Sequence, residues 1–137
     1  MVKDDCIFCK LAGGVIPTRT IYEDSDFRVF MDTAPETTGH CLIVPKQHFD
    51  DLESIDDEVA AKVLPLAKKM MKLLKEKLNC EGLNLLQNNG ALAGQSVFHF
   101  HLHVIPRYKG DNQEFSWKPL SPTDEELDAT LNKIIGA

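Results

Sequence analysis

The stretch SVFHFHLHVIP, residues 96–106, decides the fold, because histidines alternate along it with bulky apolar side chains. Alternation with a period of two indicates a half-buried β-strand, in which every second side chain points to the same face. The spacing therefore predicts a strand over 97–107 with three imidazoles on one face and a packed apolar surface on the other. The imidazoles are those of His99, His101 and His103, and the apolar side chains are those of Phe98, Phe100, Leu102 and Val104.

Three aligned imidazoles favour proton transfer, nucleophilic attack or metal binding near neutral pH. A purely structural role is disfavoured, because an exposed strand face has no packing reason to repeat one polar residue three times. A three-histidine zinc site is the sharper alternative, since zinc readily takes three imidazole ligands. Ligands on one straight strand lie in a line, however, whereas tetrahedral coordination needs them to converge on a point.

Working outward from this run, the sequence predicts an α+β fold in which short connections favour antiparallel strands. Apolar residues at helical spacing predict one long helix, over 57–78, which Ser54 and Asp57 would open as a capping box and Pro65 would kink or break. A final helix begins at Ser121 or Thr123. The other predicted elements are a short helical turn at 6–11 and strands at 21–23, 27–32, 41–45 and 82–88.

Length and composition limit the classes of protein to consider. The 137 residues suit one domain, and a net charge of −6 argues against non-specific binding to nucleic acid. No apolar run approaches the 18 residues or so of a membrane span, and the acidic N-terminus lacks the features of a signal peptide. Four cysteines without a secretion signal indicate reduced thiols or metal ligands, so we expect a cytoplasmic protein.

The histidine pattern HFHLHVI resembles the signature of the histidine triad (HIT) superfamily. Other segments resemble the same superfamily in order and spacing, over about residues 5–108: DDCIFCK at 4–10, GHCLIVPKQH at 39–48, QNNG at 87–90 and GQS at 94–96. The resemblance implies a HIT-like fold, with a five-stranded antiparallel sheet, one long helix and short terminal helices, in which two chains pair about a two-fold axis. It also implies a single HIT domain over 1–137, in which residues 109–137 form a C-terminal tail.

The activity that the resemblance implies is nucleotidyl hydrolysis. A nucleoside phosphoramidate, most specifically an adenosine 5'-monophosphoramidate, would lose its leaving group through a covalent nucleotidyl-histidine intermediate. Two alternatives remain open, namely a dinucleoside polyphosphate hydrolase and a nucleotide-binding regulatory module with incidental turnover. A transferase of the galactose-phosphate type would lack the third histidine, which is His103 here.

The resemblance assigns roles to individual residues. His101 would be the nucleophile, His103 would contact the phosphate, His99 would orient the site, and His40 would support the three histidines from the next strand. Ser96 would donate a proton to the leaving group, and Asp32 would bind the ribose. The other implied nucleotide-binding residues are Ile7, Phe8, Leu11, Phe30, Thr33, Leu42, Asn88, Gly94 and Gln95.

The pair Cys6 and Cys9 is a weaker signal, because zinc sites, redox sites and chance all produce the spacing C-x-x-C. A zinc ion would need two further ligands, and the residues alone leave His40, His48, His99, Cys41 and Cys80 as candidates. The resemblance to bacterial members that keep this pair implies a structural zinc. Its ligands would be Cys6, Cys9, His48 and His99, and no catalytic metal would be needed.

Overall fold

A computed structural model describes residues 1–136 and shows three α-helices and five β-strands. Chain order places a short helix before three strands, a long helix before the fourth strand, and the last helix in the tail. The elements are α1 (Ile7–Ala12), β1 (Thr20–Glu23), β2 (Phe27–Met31), β3 (Cys41–Pro45), α2 (Asp57–Leu78), β4 (Gly82–Leu86), β5 (Leu102–Arg107) and α3 (Asp124–Ile135), with a 3-10 turn at Ala91–Ala93.

The five strands form one antiparallel sheet in the order β1-β2-β3-β5-β4, which confirms the predicted fold class. The strand β5 inserts between β3 and β4, and it pairs His103 with both Leu42 and Leu86. The third histidine therefore lies in the middle of the sheet rather than at an edge. None of the helices within residues 1–136 is both long enough and apolar enough to cross a membrane.

The two faces of the sheet bury different sets of residues. One face packs against α2 and includes Leu102 and Val104, while the opposite face packs against α1 and carries His103. The predicted alternation is thus confirmed for Phe100, Leu102 and Val104, all of which are buried in the α2-side core. It is wrong for Phe98, which is 48% exposed, because this residue precedes the point at which the chain enters the sheet.

The predicted strand over 97–107 is too long, because regular pairing begins only at Leu102. The backbone before Leu102 forms a hydrogen bond outside the sheet, in which the amide of Phe100 donates to the carbonyl of Phe49 at 2.6 Å. His99 and His101 therefore lie on a bent segment that enters β5, and the three imidazoles are not in a straight row. The bend allows His99 to face away from His103.

The long helix α2 has the predicted bounds and buries the predicted stripe, but two details differ. Pro65 does not break the helix, since it lies on the exposed face, where the freed carbonyl of Ala61 can meet water. The capping box is also wrong: Asp56 is the N-cap residue, and Ser54 bonds to Asp51 instead. In α3 the cap is Thr123, one of the two predicted residues, and Glu126 completes a capping box with it.

Candidate active site and metal centre

The α1 side of the sheet opens into a cavity of about 820 Å³, which we call the triad cavity. Its walls come from α1, the ends of β2 and β3, the bent segment before β5, and the loop after β4. This volume lies in the range of cavities that bind small molecules and cofactors. The imidazoles of His101 and His103 both line it, with ring centroids 5.0 Å apart.

His101 has one nitrogen fixed and the other free. Its Nδ1 lies 2.7 Å from the backbone carbonyl of His99 and must donate to it, because a carbonyl oxygen only accepts. The remaining nitrogen, Nε2, therefore carries the lone pair. Burial lowers the pKa of His101, so the ring is neutral at physiological pH and can act as a nucleophile.

His103 has the opposite tautomer, which is set by its hydrogen bond with His40. The amide of Glu36 donates to Nδ1 of His40 at 3.0 Å, so the hydrogen of His40 must sit on Nε2. That Nε2 lies 2.9 Å from Nδ1 of His103 and donates to it, which leaves His103 with a hydrogen on its own Nε2. Burial and the neighbouring imidazoles of His101 and His40 lower the pKa of His103 to about 4, so the ring is a neutral donor.

Asp32, directly after β2, contributes a carboxylate to the triad cavity. Its Oδ1 accepts a hydrogen bond from the amide of Ala34 at 2.8 Å, and its Oδ2 lies 3.6 Å from Nε2 of His40. The carboxylate keeps free acceptor positions, since only one of its oxygens has a short hydrogen bond within residues 1–136. It can therefore accept hydrogen bonds from hydroxyl groups of a ligand.

An apolar wall closes the side of the triad cavity next to α1. Phe8 packs edge-on against Phe30, with ring centroids 6.2 Å apart, and edge-on against His101 at 4.8 Å. Leu11 and Leu42 continue the same wall. This part of the cavity therefore offers an apolar surface to a ligand.

Most of the predicted catalytic and nucleotide-binding residues line the triad cavity, and three do not. Ile7 is 47% exposed and points elsewhere. Gln95 is buried, but its side chain bonds the backbone: it accepts from the amide of Gly90 and donates to the carbonyls of Asp50 and Val97. His99 faces α1. The predicted residues that line the cavity are Phe8, Leu11, Phe30, Asp32, Thr33, His40, Leu42, Asn88, Gly94, Ser96, His101 and His103.

Sequence reasoning missed two notable residues of the triad cavity. Arg19, just before β1, brings a cation to the wall, and Phe115 reaches it from the C-terminal tail. The tail residue is placed by Arg107, whose guanidinium lies 4.9 Å from the ring of Phe115 and bonds Asp111 with two nitrogens. The pairing of Arg107 with an acid four residues later was a usable signal for a folded tail. Nothing in the sequence around Arg19 distinguishes it from an ordinary surface residue.

The four predicted metal ligands lie together on the other side of His99. We call Cys6, Cys9, His48 and His99 the sulfur–imidazole cluster; their ligand atoms all lie within 4.8 Å of one another. Nδ1 of His99 is 3.3 Å from the sulfur of Cys6 and 3.5 Å from that of Cys9, and Nδ1 of His48 is 3.4 Å from Cys9. Tetrahedral zinc with ordinary bond lengths places sulfur and nitrogen ligands about 3.6 Å apart. The spacing therefore fits zinc.

The orientation of both imidazoles in this cluster also fits a metal. Nε2 of His99 donates to the carbonyl of Pro45 at 2.8 Å, and Nε2 of His48 lies 2.7 Å from a carboxylate oxygen of Asp50. Each ring therefore directs an unprotonated Nδ1 at the two sulfurs. An outer oxygen acceptor on each ligating histidine is typical of protein zinc sites.

The chain belongs to the HIT domain family, whose model matches residues 13–110. Among its relatives, an adenosine 5'-monophosphoramidase of Schizosaccharomyces pombe is 40% identical over 135 residues, which cover 94% of this chain and 95% of that protein. A crystal structure of a HIT family protein from Bacillus anthracis superposes with a TM-score of 0.88, at 39% identity, and covers 97% of this chain and 96% of its own. A zinc-bound histidine triad family protein from Mycobacterium smegmatis matches with a TM-score of 0.77, at 35% identity and 96% coverage of both chains.

Proposed function

We propose that the protein is a nucleotidyl hydrolase that removes a leaving group from the α-phosphate of a purine nucleotide, with a nucleoside phosphoramidate as the substrate class. The observation that carries this proposal is the hydrogen bond from Nδ1 of His101 to the carbonyl of His99, which directs the lone pair of Nε2 away from it. A relative that is 40% identical is named as an adenosine 5'-monophosphoramidase, which supports the same chemistry.

In the proposed reaction, Nε2 of His101 forms a bond to the α-phosphorus while the bond from phosphorus to the leaving group breaks. The hydroxyl of Ser96 donates a proton to the departing nitrogen and recovers one from water. The hydrogen on Nε2 of His103 contacts a phosphoryl oxygen and stabilises its developing charge. Water then cleaves the phosphorus–nitrogen bond to His101, which releases the nucleoside monophosphate. Two displacements replace one difficult step.

We propose that the rest of the nucleotide occupies the remainder of the triad cavity. The base would lie against the apolar wall of Phe8, Leu11, Phe30 and Leu42, and the ribose hydroxyls would donate to Asp32. Thr33, Asn88 and Gly94 line the same cavity and complete the proposed set. The buried side chain of Gln95 holds the loop that carries Gly90 and Val97, so we propose that it shapes the phosphate subsite rather than touching the substrate.

We propose further that the sulfur–imidazole cluster binds one structural zinc ion. Zinc bound there supplies coordination bonds that fix α1 to the loop after β3 and to the segment before β5. The cluster lies on the far side of His99 from His103, so the residues of the hydrolysis step do not depend on the metal for their chemistry. The zinc-bound relative from Mycobacterium smegmatis supports this assignment.

The same proposal includes a two-fold homodimer of single HIT domains in the cytoplasm. The outer edge of β4 has no partner strand within residues 1–136, and Leu85 and Leu86 on this strand are 39% and 38% exposed. Pairing with a second chain would cover this edge. All four cysteines are free, as expected in a reducing compartment.

Replacing the nucleophile tests the proposed reaction. His101→Ala should lower kcat by at least about a thousandfold, or about 4 kcal/mol of transition-state stabilisation, because no other group can accept the nucleotide. Affinity for adenosine monophosphate should change by less than about threefold. Rapid quenching of the wild type with a substrate labelled in the α-phosphate should trap labelled protein, and the variant should trap none.

A near wild-type rate in folded His101→Ala would exclude the covalent mechanism. Rates on a panel of adenylates then separate the alternatives: phosphoramidates should be cleaved fastest, whereas faster cleavage of dinucleoside polyphosphates would replace the proposed substrate class. Tight binding without measurable turnover of any of them would indicate a regulatory module.

A further inference from the structure

Phe8 connects the sulfur–imidazole cluster to the triad cavity. It lies on α1 between two of the four proposed zinc ligands. Cys6 is the N-cap residue of this helix, and Cys9 directly follows Phe8. Its ring centroid is 6.1 Å from that of His99, a third ligand, and 4.8 Å from that of His101, the proposed nucleophile. One side chain therefore touches both sites.

The position of Phe8 depends on how α1 is held. This helix has six residues, too few to be stable by itself in water. It is held by the buried residues Cys9 and Ala12 and by the contacts of the two sulfurs with His48 and His99. Without a metal these are weak sulfur–imidazole contacts, whereas zinc would replace them with coordination bonds between the helix and the body of the protein.

We propose that Phe8 is a positioning residue that couples zinc binding to nucleotide binding, so that each ligand raises the affinity for the other. The inference rests on the proposed function. Zinc fixes α1, and α1 places the ring of Phe8 against His101 and in the wall that receives the base. A nucleotide that packs on Phe8 stabilises the same placement of α1 and thereby retains the metal.

Coupling between two binding sites is reciprocal, which gives two independent measurements of one number. In the first, calorimetry compares binding of adenosine monophosphate to the zinc-loaded chain and to the chain after removal of zinc with a chelator. In the second, a chromophoric chelator competes for zinc with and without saturating adenosine monophosphate. The wild type should show about a tenfold change in both, within the usual range of such couplings.

Variants on α1 separate Phe8 from the rest of the helix. Phe8→Ala keeps all four ligands, so it should still bind zinc, but the coupling should fall to less than about twofold. Phe8→Leu retains part of the apolar contact and should give an intermediate value. The control is Lys10→Ala, which lies on the same helix but does not line the triad cavity, and it should keep the full coupling.

The outcomes are distinguishable from failure of the proposed function. Tight nucleotide binding that is the same with and without zinc, or coupling that persists in Phe8→Ala, overturns this inference alone. No binding of adenosine monophosphate to the zinc-loaded wild type overturns the proposed function together with it. If the chain unfolds without zinc, the competition with the chromophoric chelator is used to compare Phe8→Ala with Lys10→Ala. Equal coupling in the two variants would indicate a general effect of folding and would overturn the inference.

Discussion

The two clusters on either side of His101 each contain two histidines, but the ring nitrogens that face inward differ in whether they carry a hydrogen. The sulfur–imidazole cluster contains His48 and His99, and a second group, the carboxylate–imidazole cluster, contains Asp32, His40 and His103. The ligand atoms of the second cluster also lie within 4.8 Å of one another, so distance alone would allow a metal in either.

The difference lies in what the second nitrogen of each ring contacts. In the sulfur–imidazole cluster it donates to an oxygen, so the lone pairs converge on one point. In the other cluster, Nδ1 of His40 accepts from the amide of Glu36, so the inward nitrogen bears a hydrogen that fills the space between the rings. A metal bound in the sulfur–imidazole cluster would therefore take the position that a proton takes in the other cluster, where the backbone contact of Glu36 with His40 sets the tautomer.

Removing the two sulfurs should have the largest effect, because it deletes the metal site and leaves the other cluster intact. Cys6→Ser with Cys9→Ser should lower the zinc content from about one ion per chain to none. The free energy of unfolding should fall by about 4 kcal/mol, the value for a ligand present at a thousandfold excess over its Kd. Metal analysis and urea unfolding measure both.

The matched control for this double variant is Cys80→Ala, which removes a thiol outside the cluster and should keep the metal. Measurable turnover should survive in the double variant. Complete loss of activity in a folded double variant would mean that the metal takes part in the reaction, contrary to the separation of the two clusters.

Asp32→Ala should affect nucleotide binding and leave the zinc content unchanged. A charged acceptor of a hydrogen bond contributes about 1.5–3 kcal/mol, so wild-type protein should bind adenosine monophosphate at least about tenfold more tightly than its 2'-deoxy analogue. The variant should bind the two equally. Guanosine monophosphate should bind within about tenfold of the adenine nucleotide, because the base meets an apolar wall.

Calorimetric titration of these nucleotides against both proteins measures the discrimination. Glu36→Ala, which removes another carboxylate from the wall of the triad cavity, should keep it. Equal affinity of the wild type for ribose and deoxyribose would remove Asp32 from the proposed ribose site.

Glu36→Pro should make the two clusters more alike, because proline removes the N–H group that fixes the tautomer of His40. His103 would then lose its fixed hydrogen, and we expect kcat to fall about tenfold, a change of about 1.4 kcal/mol. The freed nitrogen of His40 should also let the carboxylate–imidazole cluster take up a second zinc ion. Glu36→Ala retains the N–H, so it should neither lower kcat nor bind a second zinc ion. Identical behaviour of the two variants would count against the tautomer assignment.

The last expected effect is a pH dependence of stability. Burial lowers the pKa of His103 to about 4 and also lowers the pKa of His40, whereas both rings titrate near 6.5 in the unfolded chain. The unfolded state therefore binds more protons between pH 6.5 and pH 4, so the contribution is present above pH 6.5 and is lost as the pH falls through this window. Urea unfolding of wild type and His103→Gln should show a shallower slope in the variant, and parallel slopes would contradict the assignment.

Several features were predictable from the sequence because they depend on local or periodic patterns. The alternation from Phe100 to Val104 gave the buried face of β5, and helical periodicity gave the bounds of α2. The motif resemblance also gave the four residues that the structure brings together as a candidate metal centre.

The remaining features depend on contacts between distant parts of the chain. The bend before β5 follows from a backbone bond between Phe100 and Phe49, and the inward turn of the Gln95 side chain follows from three backbone partners. Phe115 lines the triad cavity with its ring 4.9 Å from the Arg107 guanidinium. The spacing of Arg107 and Asp111 is a local signal that the tail is folded, but no periodicity encodes which cavity the tail reaches or how the bend and the Gln95 side chain are held.

One consequence concerns Gly39, which precedes His40 and has a φ of +90°. A Cβ added here would lie 2.4 Å from a methyl carbon of Leu78, at the end of α2, and 3.3 Å from Pro106 on β5. Every other amino acid brings that carbon and is strained at this φ, so a substitution would shift the Leu78 side chain and strain the backbone next to His40. A substitution at a position outside the triad cavity would therefore disturb the proposed active site through the backbone that carries His40.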